Sequence, residues 1–561
     1  MADLLPAMDE NYADYIIKYS EYVYGALNHL EGRNFQIINE NYAVFYSPLQ
    51  ESEPLILDEN NYGSVPKYYV QMDLESLNNS GIARLHNHPY LMLRGRGTAV
   101  AVIDSGIDYE NALFRNSDGS TRIAFLWDQT IQADESATVP YGKEFTRERI
   151  NEALASEDPK EIVPSVDTNG HGTFLAGIAA GGRDIVDDFS GTAPEATLIV
   201  VKLKQIKKYL RDFYILPEEK DIYQENDIMF AIQYAIRCAG ILDMPLSICI
   251  GLGTSLGSHT GESPLSQYLD NVNRYARNVT SVAAGNEGNS RHHFFGAVME
   301  RDGYEEAELK IGAGEEGFSM EFWGDSPNRF SVTVQTPSGE RAEVVSSRNQ
   351  PFQTFEFVFI NTKIQASYIP IERQTGKTLL FFRILDPVEG IWKFQVFSDG
   401  TGESVFNMWL PVNGLVNEET YFLESTPDMT ITTPGAADAA LTMTAFDYRD
   451  ESLFVDASRG FTPENVVKPD LAAPGVQLEG PVPGGRMSVR SGTSLAAAYT
   501  CGAAALLLEW AIVKGNAPYF TGASVKNYFI RGARRSKLEE YPNPEWGYGI
   551  LDLYRVFELL E

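Results

Sequence analysis

Three short segments of this chain hold a hydroxyl, an imidazole and a carboxylate, the set that nucleophilic acyl transfer needs. Ser494 lies in Ser491-Gly492-Thr493-Ser494-Leu495-Ala496-Ala497-Ala498, where a glycine-bearing turn enters a long apolar helix. A serine placed there meets the free backbone N–H groups of a helix N-terminus, which favour developing negative charge. His171 lies in the polar turn Asp167-Thr168-Asn169-Gly170-His171-Gly172-Thr173, and a helix from Phe174 to Ala180 follows it. Asp104 ends the apolar run Val100-Ala101-Val102-Ile103, which reads as a buried parallel strand delivering its carboxylate to a cleft. In combination, His171 would take the Ser494 proton and return it to a leaving amine. Asp104 would fix the imidazole tautomer and stabilise its charged form. Singly, each residue has a plainer meaning: a serine caps a helix, an aspartate closes a strand end, a histidine in a glycine-rich turn sits at the surface. The set of three, in this order along the chain, is what points to catalysis.

The surrounding elements must bring these groups together. From about Arg94 to Ser290 strand and helix signals alternate, as an α/β parallel sheet requires. Between about Arg291 and Ile431 the period changes to two. Phe330, Val332 and Val334 alternate with polar neighbours, as do Trp392, Phe394 and Val396, and then Phe406, Met408 and Leu410. Turn signals at Thr336-Pro337-Ser338-Gly339 and Ser398-Asp399-Gly400 separate these runs, so the insertion reads as an antiparallel sandwich. The first pattern resumes at Thr432. Ahead of Leu93 we expect a small α/β unit, with a helix over Tyr12 to Leu30 and strands at Tyr42 to Tyr46 and Lys67 to Val70. The expected domains are residues 1–93, 94–290 with 432–561, and 291–431; 561 residues exceed one ordinary core.

Asp104-Ser105-Gly106, His171-Gly172-Thr173 and Gly492-Thr493-Ser494 resemble the three signature blocks of the subtilisin-like serine proteases, the subtilases. The order Asp, His, Ser is that of subtilisin. Ala283-Ala284-Gly285-Asn286 resembles the family's oxyanion-hole block. The resemblance implies that Asn286 donates a side-chain N–H to the tetrahedral intermediate, a contact typically worth ~3 kcal/mol. Ile250-Gly251-Leu252-Gly253 resembles the edge along which a peptide substrate adds as a β-strand. Gly251, Leu252, Gly253, Ala283, Ala284 and Gly285 are therefore the expected substrate-binding residues. Ser458-Arg459-Gly460 and the run from Lys468 to Gly475 match family segments preceding the serine. Phe174 stands where many members carry a second histidine, and Ala498 where a proline is usual; neither position carries the chemistry.

The N-terminal unit, the all-β insertion and local segments such as Phe125-Leu126-Trp127-Asp128-Gln129-Thr130 and Gly285-Asn286-Glu287-Gly288-Asn289 resemble the clostridial Csp-type germination proteases. That resemblance implies an α/β, subtilisin-like parallel-sheet catalytic domain with an N-terminal α/β prodomain and an inserted jelly-roll-like domain that braces it. It implies a serine endopeptidase that cuts itself somewhere in Ile82 to Gly97 and can retain its prodomain. Its expected target is a protein precursor such as a spore-cortex hydrolase zymogen. Two other readings stand beside this one. A non-catalytic pseudoprotease regulator would show substitution at Asp104, His171, Ser494 or Asn286, and none is substituted. A broad-specificity intracellular subtilase is the other.

Lys and Arg number 45 against 77 Asp and Glu, a net charge of −32 spread without a long acidic block. That argues for solubility and against nucleic acid or an anionic membrane as partner. Protein or peptide substrates and the chain's own prodomain are the partners expected. Cys238, Cys249 and Cys501 give no disulfide framework. His86 with His88, and His292 with His293, have no further Cys or His to complete a tetrahedral set, so neither metal nor cofactor is expected. The start Met1-Ala2-Asp3-Leu4-Leu5-Pro6 lacks the basic and apolar regions of a secretory signal. The apolar stretch around Ala503 to Val513, interrupted by Glu509, reads as too short to span a bilayer. An intracellular or spore-associated location is the expectation.

Overall fold

A computed structural model describes residues 5–20, 32, 34–49, 55–72, 74–75, 92–132, 138–184, 188–299, 303–344, 351–400 and 402–559. Its largest sheet has the strand order Ser452–Leu453, Leu441–Asp447, Asn278–Ala283, Leu246–Ile250, Ala99–Asp104, Thr197–Lys202, Ile123–Asp128 and Lys143–Thr146. Leu471–Pro474 pairs alongside Leu441–Asp447. The inner pairings are parallel, and the strands at Lys143–Thr146 and Ser452–Leu453 run antiparallel. Every residue of Ala99–Asp104 is buried. Val100 and Val102 share a core with the helices His171–Ala180 and Thr493–Leu508, whereas Ala99, Ala101 and Ile103 share one with Glu225–Leu242 and Pro264–Arg274. An uninterrupted apolar run is what a strand covered on both faces requires. Because these strands are parallel, their carboxyl ends share one edge, and Asp104, Gly251 and Ala284 all follow or end strands there. Open α/β sheets bind ligands at that edge.

The serine-bearing helix is longer than its most apolar stretch suggested. It runs from Thr493, through a wider final turn, to Val513; by its 21 residues and composition alone it is long and apolar enough to cross a membrane. The small residues Ala496, Ala497 and Ala498 at its start are continuous with the apolar stretch around Ala503 to Val513, so the two form one helix. In the fold 78% of its most apolar window is buried, as the central helix of a protein core.

Two antiparallel sheets lie between residues 293 and 422. One has the order His293–Val298, Ser404–Trp409, Gly317–Gly324, Thr378–Leu385, Lys363–Ile369, Phe352–Glu356. The other runs Arg341–Val344, Phe330–Gln335, Gly390–Ser398, Tyr304–Ile311, Tyr421–Phe422. Met320, Phe322, Leu380 and Phe382 from the first meet Leu309, Val332, Trp392 and Phe394 from the second in one core. Phe330–Gln335 keeps the strict in–out alternation, but Gly317–Gly324 is buried throughout. The reason is a second layer of contacts: Trp323, Leu379, Phe381 and Trp409 pack with Tyr62, Tyr68, Met72 and Tyr214. Glu321 sits at this junction, accepting from the Tyr62 hydroxyl (2.9 Å), the Gly257 N–H (2.8 Å) and the Trp323 indole (2.9 Å). Burial pushes its carboxyl up from the usual range.

The N-terminal region corrects one expectation. Tyr12–Lys18 is a strand, not the start of a helix, and pairs antiparallel with Tyr42–Pro48, which also pairs with Phe35–Ile37. The apolar spacing suited a helix. However, Tyr15-Ile16-Ile17 is aromatic and β-branched, and pairing with a neighbouring strand decides such cases. Residues 21–30 of the expected helix lie outside the described residues. The strands expected near Tyr42 and Tyr68 are present as Tyr42–Pro48 and Tyr68–Gln71. Buried Asp14 ties this unit to the large sheet's helical layer: its carboxylate meets Lys207 Nζ at 2.6 Å, Gln224 Nε2 at 2.8 Å and Asn226 Nδ2 at 3.1 Å. Removing one partner of such a pair leaves an uncompensated buried charge, so the dock is specific.

Trp409 joins the inserted sheets to the loop after Gly253 by stacking on His259 at 4.1 Å, and His293 of its own sheet stacks on it at 4.9 Å between ring centroids. Burial pushes both imidazoles down to about 4. An unfolded chain takes up protons near pH 6.5 that these rings refuse until about pH 4. Their contribution is therefore complete above pH 6.5 and is lost as pH falls toward 4, by roughly 3 kcal/mol for each ring. Urea unfolding at pH 7 and pH 4.5 should show this loss, and His293→Gln should show less of it.

Candidate active site

The three strand-edge and helix-start positions converge. His171 Nδ1 lies 2.7 Å from Asp104 Oδ1, and its Nε2 lies 3.3 Å from Ser494 Oγ. A carboxylate only accepts, so Nδ1 carries the proton and Nε2 faces the serine as an acceptor. All three side chains are fully buried.

Local sequence explains why each stays in place. Asp104 is the last residue of its strand and also accepts the Ser105 N–H at 2.7 Å. His171 opens its helix after Gly170 at φ +78°, a left-handed conformation that glycine adopts without strain. The helix start is held by Asp167, whose carboxylate accepts from Gly170 N–H (3.0 Å), Thr173 N–H (2.9 Å), the Thr173 hydroxyl (2.6 Å) and the Ser105 hydroxyl (2.9 Å). Ser105 Oγ in turn takes the Gly172 N–H at 2.9 Å, joining the aspartate and histidine segments. Ser494 is the second residue of Thr493–Leu508, the helix that Gly492 caps. A Cβ at Gly251 would stand 3.1 Å from Ser494 Cβ, 3.2 Å from His171 Cε1 and 2.6 Å from Leu175 Cδ1, so only glycine lets the cleft edge approach this closely.

Asn286 stands beside the serine helix. Its Oδ1 accepts the Thr493 N–H (3.2 Å) and hydroxyl (3.0 Å), which turns its amide NH2 outward as the donating end. The loop is fixed further by Gly285 N–H to Thr493 Oγ1 (3.1 Å) and by Ser458, whose N–H bonds Gly285 O (2.8 Å) and whose Oγ takes the Glu287 N–H (3.0 Å). Ala283 ends its strand, and Ala284 exchanges backbone bonds with Met443 and Thr432. Gly251, Leu252 and Gly253 thus run along Tyr68–Gln71 and Met72, and Gly285 lies against Thr493.

The cleft edge already carries a strand. Tyr68–Gln71 lies between Tyr223–Gln224 and Leu252–Gly253, pairing antiparallel with both; Gln71 faces Leu252 and Val70 faces Gly253. Gln71 Nε2 reaches Asp104 Oδ1 at 3.2 Å and Tyr223 Oη at 3.3 Å, and its Oε1 takes an Asn169 N–H at 3.0 Å. Met72 N–H bonds Gly251 O (3.1 Å), and Met72 O accepts the Ser494 N–H (3.2 Å). Sequence reasoning missed Gln71, Met72, Asn169, Asp167 and Thr493. One signal was available: Lys67 to Val70 reads as a strand, and among the described residues its partners are Tyr223–Gln224 and Leu252–Gly253.

Among the described residues no cluster of His, Cys, Asp and Glu could hold a metal ion. His293 bonds Asp428 O and Asn407 Oδ1, and His292 lies 3.6 Å from Glu287. His86 and His88 lie outside the described residues. The three cysteines are buried and free.

The profile of the subtilase family, peptidase S8, matches residues 95–315 and 407–549. Among solved structures, the Clostridium perfringens CspB protease is 32% identical, with a TM-score of 0.76 over 86% of this chain and 96% of that one. No curated protein sequence matches. The profile spans well over half the chain and the solved relative nearly all of it: the chain belongs to the subtilase family and is a subtilisin-like serine endopeptidase.

Proposed function

We propose that peptide bonds are cut by acyl transfer to Ser494. His171 Nε2 accepts the hydroxyl proton as Oγ attacks the carbonyl carbon, and Asp104 holds the resulting imidazolium. The Ser494 N–H and the Asn286 amide stabilise the oxyanion. His171 then protonates the leaving amine, and water, activated by the same imidazole, releases the acyl group. The observation that carries this reading is the continuous Asp104–His171–Ser494 contact chain at 2.7 and 3.3 Å.

The finer reading extends to biology. The N-terminal unit within residues 1–93 serves as a self-processed prodomain, residues 291–431 as a jelly-roll brace, and the target is a protein precursor such as a spore-cortex hydrolase zymogen. Likeness to the CspB protease supports proteolysis, and the target class rests on the resemblance read from the sequence. The Asp14 and Glu321 contacts support docking of the N-terminal unit and bracing by the inserted sheets. Labelling with a fluorophosphonate tests the chemistry: the adduct should map to Ser494 and vanish in Ser494→Ala. Equal labelling of that variant would overturn the assignment.

A further inference from the structure

We infer that the bond the enzyme cuts in its own chain is the one following Met72, and that the cleft reads Gln-Met as its preferred sequence before a scissile bond. This rests on the proposed acyl chemistry at Ser494.

Four observations fix the register. The strand Tyr68–Gln71 occupies the position of an added substrate strand, paired on both sides. The Met72 carbonyl oxygen receives the N–H of the residue proposed as nucleophile, at 3.2 Å, so its carbonyl carbon is the one presented to Ser494 Oγ. Beyond the serine the chain continues on the other side of it: Leu74 pairs with Ser491 and Glu75 with Arg490. Met72 is thus the last residue bonded along Gly251–Gly253, and Leu74 the first paired along Arg490–Ser491. Finally, Met72 is buried, and the space that a Cβ at Gly253 would need is taken by Thr432 Oγ1 (2.5 Å) and Met72 Cε (3.0 Å). A long, unbranched thioether side chain suits such a slot, and methionine adapts to narrow apolar gaps better than branched residues. The preceding Gln71 is read separately, its amide held by Asn169, Tyr223 and Asp104.

The step balances with water alone. Ser494 Oγ bonds to the Met72 carbonyl carbon, and its proton passes to His171. The C–N bond to Asp73 breaks, and the proton leaves on the new Asp73 amine. Water then cleaves the Met72 ester, restoring the serine hydroxyl and leaving a Met72 carboxylate in the cleft. The region expected from family resemblance, Ile82 to Gly97, lies mostly outside the described residues; the residues seated at Ser494 are the ones ending at Met72.

Intact mass and N-terminal sequencing of the purified wild-type chain, with fluorophosphonate labelling of the same preparation, decide the matter. The expected new N-terminus is Asp73-Leu74-Glu75, absent in Ser494→Ala. Met72→Lys should slow its appearance at least tenfold. The peptide Tyr-Val-Gln-Met-Asp-Leu-Glu should be cut between Met and Asp by the processed wild-type protein. A Ser494-dependent cut at another bond, with Ser494 labelled, overturns this inference and leaves the acyl chemistry standing. An uncut chain with labelled Ser494 does the same. An uncut chain without label overturns both.

Discussion

Ser494→Ala is expected to lower kcat for peptide hydrolysis by about a millionfold while leaving KM nearly unchanged. The substitution removes only Oγ. Gly492, at the helix cap, makes no side-chain capping bond, and the Ser494 N–H that bonds Met72 O belongs to the backbone. The fold, the cleft edge and both oxyanion donors therefore survive. What disappears is the atom that forms the acyl bond. Residual catalysis of about 10³–10⁴-fold over water would remain from binding and the oxyanion donors. Steady-state hydrolysis of a fluorogenic Tyr-Val-Gln-Met peptide by wild type and variant, each assembled from co-expressed 1–72 and 73–561 segments, checks this, and a loss below tenfold would be incompatible with the proposed nucleophile.

Asp104→Asn should cost about 10⁴-fold in kcat by a different route. Asparagine is nearly isosteric, so the strand end can persist, although an NH2 in the Oδ1 position no longer accepts the Ser105 N–H. Its amide, however, can present an NH2 group to His171 Nδ1, which then sheds its proton and becomes the acceptor. The proton moves to Nε2, the nitrogen facing Ser494, and the imidazole can no longer take the serine proton. Circular dichroism unchanged from wild type, together with the rate loss, separates this tautomer effect from unfolding. A variant retaining a tenth of wild-type activity would remove Asp104 from its proposed role.

The proposed catalytic set was legible because each member sits in a segment whose local chemistry announces itself. A β-branched run ending in Asp104 can only be a buried strand edge, and glycines beside His171 and Ser494 mark helix entries. The two-residue period of Phe330–Gln335 likewise carried the inserted sheets. What stayed hidden depends on pairings made far along the chain. Tyr12–Lys18 follows helical spacing, yet it becomes a strand because Tyr42–Pro48 lies beside it. Nothing near Met72 in the sequence reveals that Gly251 and Ser494, about two and four hundred positions away, hold its backbone. Asp167 and Thr493 were quoted within motifs, but their work is to accept and donate bonds that fix His171 and Asn286. Only the assembled loops show that.

The most direct test of the account is to catch the acyl-enzyme. Processed protein is mixed with a peptide ester of Tyr-Val-Gln-Met, quenched in acid during turnover, and examined by intact mass and peptide mapping. The account predicts a mass increase equal to the acyl group, located on Ser494 and absent in Ser494→Ala. Turnover with no covalent adduct, or with the adduct on another residue, would contradict it.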